Sequence, residues 1–98
     1  MSDGLFYDQD GNPITLEEWS ILLRGGVRVA AEQVGDAEVS TVWLGLNYNF
    51  CGGRPLIFET MIFGGEHDLF RWRYASKSQA EAGHNLTVAR LQAGKPPD

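Results

Sequence analysis

Four runs of β-branched and aromatic residues, separated by glycine-bearing breaks, constrain this chain more than any other feature. The runs cover residues 27–34, 39–46, 56–63 and about 67–74. Gly35-Asp36 divides the first two and Gly64-Gly65 the last two, both turn signals. A parallel pair needs a crossover of roughly a dozen residues or more, so breaks this short make neighbours antiparallel. The 47–55 connection contains Gly52-Gly53 and reads as a wide hairpin loop or a flap.

Helix signals flank the runs. Thr15-Leu16-Glu17-Glu18 is a capping box, with a hydroxyl at the cap and a carboxylate three residues on. It predicts a helix over 16–24, with Leu16, Trp19 and Leu23 on one buried face and Gly25-Gly26 as its stop. Ser76-Lys77-Ser78-Gln79 offers a second box and a helix over about 77–93. There Ala80, His84, Thr87 and Leu91 fall within about 60° on a helical wheel, flanked by Gly83 and Val88. Gly83 costs about 1 kcal/mol in helix propensity but lets the helix approach a sheet closely. Residues 5–14 read as a small hairpin turning through Asp8-Gln9-Asp10-Gly11-Asn12, with Pro13 at an edge. Asp8-x-Asp10 opens like a calcium loop, but the sixth position is Pro13 where that loop requires glycine. The fold expected is α+β. It has an antiparallel four-stranded meander, an N-terminal hairpin and short helix, and a C-terminal helix packed on one face. One domain over 1–93 and a frayed tail over 94–98 complete it.

Composition narrows the function classes. Ninety-eight residues allow one small domain. A single cysteine gives no internal disulfide and no multi-cysteine zinc site, and no metal or cofactor is expected. No apolar run approaches the roughly 20 residues that cross a bilayer. Met1-Ser2-Asp3-Gly4 shows neither the basic nor the apolar region of a signal peptide. The net charge is −5, and residues 1–20 hold five acids and no base. The remainder, with eight of each sign, is neutral, which weighs against nucleic acid as a partner.

Some polar residues interrupt apolar patterns. His84 sits mid-stripe on the second helix, as a hydrogen-bonded core histidine or as a catalytic or metal-binding one. Glu59 interrupts Ile57-Phe58-Glu59-Thr60-Met61-Ile62, pointing with Ile57, Met61 and Phe63. Its candidate partners are His84, Arg71 and Arg73, and Glu59 with His84 is the best acid–base pair on offer. Cys51 lies beside Arg54 with no histidine near in sequence, and reads as a passive loop thiol. His67 stands between Glu66 and Asp68, seventeen residues from His84, which matches no zinc spacing. Asp68-Leu69-Phe70-Arg71-Trp72-Arg73-Tyr74 alternates an aromatic core face with a solvated basic one.

The segments Ser40-Thr41-Val42-Trp43-Leu44-Gly45-Leu46-Asn47 and Pro55-Leu56-Ile57-Phe58-Glu59-Thr60-Met61-Ile62-Phe63-Gly64-Gly65, with Tyr74 and Ala82-Gly83-His84, carry a resemblance. The chain resembles a family of small uncharacterised proteins encoded by tailed bacteriophages and prophages, mainly of actinobacteria. The resemblance covers about residues 38–88 and, more loosely, the opening from Tyr7 to Trp19. Phe58-Glu59-Thr60-Met61 is its most specific part, and Cys51 lies outside the pattern. It implies a phage gene acting in the cytoplasm of the bacterial host.

Three functions follow as expectations. The first is a non-enzymatic accessory protein that binds a host or phage protein, countering a host defence, and that pairs as a homodimer through sheet surface its helices leave bare. Trp43, Tyr48, Phe50, Arg54, Arg71 and Arg73 are its candidate contact residues. The second is a binder of a nucleotide-like signal, with the 47–55 loop closing over it beside Trp43, Tyr48 and Arg54. The third is a minimal hydrolase using His84 and Glu59. No membrane role is expected.

Overall fold

The computed structural model describes residues 5–47, 49 and 52–98. Helix α1 spans Leu16–Arg24. Strands β1 (Arg28–Val34), β2 (Ala37–Trp43), β3 (Phe58–Phe63) and β4 (Arg71–Tyr74) follow, then helix α2 (Lys77–Gln92). The strands form one antiparallel sheet in the order β1-β2-β3-β4, with α2 packed across it. The α+β meander expected from the short breaks is the observed architecture.

Differences from the expected bounds have local causes. β4 begins only at Arg71 because the preceding turn is longer than Gly64-Gly65 alone. Gly64 donates its N–H to Asp68 Oδ1 at 2.6 Å, and Leu69, at φ 69°, donates to Ile62 O at 2.7 Å. The N-terminal hairpin is reduced to single bridges, Tyr7 with Pro13 and Phe6 with Leu46. Asp8 Oδ1 accepts the N–H groups of Asp10 (3.0 Å) and Asn12 (2.8 Å), closing that turn.

The capping box of α1 is complete. Glu18 N–H donates to Thr15 Oγ1, and Thr15 N–H to Glu18 Oε1 at 2.9 Å. The helix nevertheless buries no residue fully, and Leu16 is 58% exposed, off the expected face. Only Trp19 and Leu23 of the three pack on the core. The Trp19 indole explains this: its N–H donates to Leu44 O at 3.0 Å and its ring lies 5.0 Å from that of Phe6. The helix is held chiefly along this side.

In α2 the second box is half-formed. Ser76 Oγ accepts from Gln79 N–H, but Gln79 Oε1 takes the N–H of Ala75. Ala80, His84, Thr87 and Val88 are buried, as the wheel predicts, while Leu91 is half-buried. The helix ends in a Schellman turn. Gly94, at φ 74°, donates to Leu91 O, and Lys95 N–H reaches Arg90 O at 2.8 Å. The left-handed residue reverses the chain, so the tail expected to fray turns back and Pro97 is buried.

The sheet is covered on one face. Val39, Thr41 and Trp43 of β2 and Phe58, Thr60 and Ile62 of β3 share it, and all are buried. The bare sheet surface expected to pair two copies is not uniformly apolar. The opposite face carries Glu38, Ser40 and Val42 on β2 and Glu59, Met61 and Phe63 on β3, a mixed set in which Ser40 is itself buried. Phe63, 44% exposed, is the one strongly exposed large apolar side chain of those six. The larger exposed apolar groups lie elsewhere, at Trp72 and Leu86 and on α1.

Candidate functional site

Two features gather the chain's polar and aromatic chemistry: a buried polar row and a groove at the β4 side of the sheet. The row follows from register. β2 and β3 pair Thr41 with Thr60, and β3 and β4 pair Thr60 with Trp72 and Phe58 with Tyr74. Thr41 Oγ1 and Thr60 Oγ1 lie 2.6 Å apart, Thr41 Oγ1 lies 2.7 Å from His84 Nδ1, and Tyr74 Oη donates to Thr60 Oγ1 at 3.1 Å. One direction lets both threonine hydroxyls accept and donate within the row: Tyr74 to Thr60 to Thr41 to His84 Nδ1. Nδ1 then accepts, which places the ring N–H at Nε2. Nε2 lies 3.4 Å from Glu32 Oε1, close in space but outside hydrogen-bond geometry. The row thus joins β2, β3 and β4 to α2.

Burial of this row has a consequence for Tyr74. Desolvation raises its phenol above the ordinary value of 10.0, and the hydrogen bond with Thr60 offsets this in part. Below that value folded and unfolded chains both hold the proton. As pH rises past it the unfolded chain releases the proton first, so Tyr74 costs stability until the raised folded value is passed. Comparing wild type with Tyr74→Phe by chemical denaturation, we expect the wild type's advantage, about 1 kcal/mol near neutrality, to hold up to the ordinary phenol value and to shrink as pH rises past about 10. A pH-independent difference would refute this.

The structure separates the residues proposed as a catalytic pair. Glu59 projects from the open face and receives Arg73 Nε at 3.0 Å, whereas His84 lies under the other face and is 1% exposed. The carboxylate nearest His84 is Glu32. Trp43 is 1% exposed within the core cluster of Tyr7, Ile57 and Phe58, in the interior rather than on the surface. Ile57, expected to point with Glu59, is in that core too. Arg54 is exposed beside a depression shared with Asp10 and Pro55, away from the row. Arg71 is exposed on β4 and Arg73 half-buried beside Glu59. Tyr48, Phe50 and Cys51 lie outside the described residues. Among the described residues no three histidine, cysteine or acidic side chains gather as metal ligands. No described helix is long and apolar enough to cross a membrane.

The groove runs between β4 and α2, with a volume of about 290 Å³. Phe70, Trp72 and Tyr74 line its strand side, Leu86 and Arg90 its helix side. Trp72 is 58% and Leu86 53% exposed, while Arg90 Nε is buried without a hydrogen-bond partner among the described residues. Sequence reasoning named Arg71 and Arg73 but missed Trp72, Leu86 and Arg90 as a unit, since nothing in the spacing tells which aromatic will lack a cover. It also missed Thr41, Thr60 and Glu32. Two threonines in otherwise apolar runs, in phase with Val39 and Ile62, were the available signal. No protein-family model, curated protein or solved structure matches the chain.

Proposed function

We propose that this protein is a non-enzymatic accessory protein of phage origin that binds a host or phage protein in the bacterial cytoplasm and counters a host defence. One contrast supports the binding part of this reading. The imidazole best suited to catalysis is sealed in the core at 1% exposure, while the Trp72 side chain stands 58% exposed beside an aromatic groove. Exposed tryptophan and arginine flanking a depression are the side chains that dominate protein–protein affinity. The phage setting, and with it the defence role, rests on the resemblance carried by Phe58-Glu59-Thr60-Met61 and its neighbours.

Affinity capture from infected host cells, with mass spectrometry, tests the reading. The expected result is a discrete protein enriched by the wild-type chain and lost with Trp72→Ala. Equal recovery by both chains would remove this surface from the interaction. Enrichment of nothing above background would overturn the binding role.

A further inference from the structure

The groove already holds proline from its own chain. The Schellman turn at Gly94 sends the tail back along α2, and Pro97 is buried. Pro97 and Asp98 join Phe70, Trp72, Tyr74, Leu86 and Arg90 in the groove wall. Aromatic rings on one side and a proline ring on the other is the pairing by which aromatic-lined grooves take extended proline-rich segments, whose fixed φ leaves little entropy to lose on binding. Asp98, which follows the prolines, lines the same groove as the Arg90 guanidinium, whose buried Nε has no hydrogen-bond partner among the described residues and which forms no ion pair within 4.0 Å with Asp98. The tail therefore supplies one proline that fits, Pro97, and leaves the cation unanswered.

Building on the binding role proposed above, we infer that the β4–α2 groove recognises a proline-proline-acidic segment of the partner protein. The chain's own Pro97 and Asp98, which form part of the groove wall, are what such a segment displaces. Displacement needs a gain the tail lacks, and a carboxylate placed on Arg90 Nε provides it. Tethering opposes the exchange, because a linked segment competes at an effective concentration of order millimolar.

The test uses the whole chain and a synthetic peptide carrying two Pro-Pro-Asp repeats, followed by the NMR shift of the Leu86 backbone amide in the groove wall. With Pro96→Ser and Pro97→Ser together, which remove the internal competitor, the peptide should bind at least about tenfold more tightly than to wild type. A peptide with lysine for aspartate should bind at least about fivefold more weakly, and Trp72→Ala should abolish binding. Equal binding of an alanine-for-proline peptide, or no shift with any peptide, would overturn the inference. So would self-association of the double variant without peptide binding, which assigns the groove to a second copy. If these fail while Trp72-dependent capture of a partner persists, the proline chemistry falls and the binding role stands.

Discussion

Gly83→Ala should destabilise the fold by about 2–3 kcal/mol, although alanine is the better helix former by about 1 kcal/mol. Gly83 faces the Tyr74 ring, and a Cβ there would overlap its hydroxyl and Cε1 and lie 2.5 Å from Cζ. Tyr74 is buried and fixed by its bond to Thr60, so the ring withdraws only by giving up that bond. The overlap is resolved only by lifting α2 from the sheet or by breaking the Tyr74–Thr60 bond. Thermal denaturation should show a fall of about 10–20 °C for a chain of this size. Pairing with Tyr74→Ala supplies the check. The cost of Gly83→Ala should nearly vanish in that background, because the atoms it strikes are gone. A cost of undiminished size there would show that the helix, not the contact, resents the substitution.

His84→Ala should cost about 3 kcal/mol, from the void beneath α2 and from the lost hydrogen bond to Thr41. His84→Asn should recover about 1 kcal/mol of this, because its amide oxygen offers an acceptor near the place of Nδ1. Equilibrium denaturation of both variants reads the difference directly. Stability unchanged in His84→Ala would contradict a packed, hydrogen-bonded imidazole. The result also bears on function: a group held this deep acts through the fold, and its removal is felt first as instability.

The architecture was legible because its signals are local. Glycine breaks too short for a crossover gave the meander, and Thr15 with Glu18 marked the start of α1 to the residue. Gly83 was readable as a point of close approach, although the ring it admits was not. Arg73 was among the foreseen partners of Glu59, since a period of two puts both on one side once the strands pair. The failures were failures of tertiary choice. Glu59 and His84 are single polar residues in apolar patterns, and only packing decides that they lie on opposite faces. Trp43 looked like a contact residue because tryptophan serves equally in cores and interfaces. Leu16 follows the helical period, yet Trp19 anchors α1 along another side. The groove needed the Schellman turn at Gly94 to acquire its occupant, and the sequence marks that glycine only as a stop.

Sliding β3 by two residues against β2 would keep every side chain on its own side of the sheet, and among purely aliphatic strands little would resist it. Here such a slip sets Phe58 or Ile62 opposite Thr41 and strands the buried Thr60 hydroxyl without its acceptor, at about 1–3 kcal/mol. The threonine–imidazole–phenol line therefore works as a keyway: it admits one alignment of the strands and makes the near misses expensive.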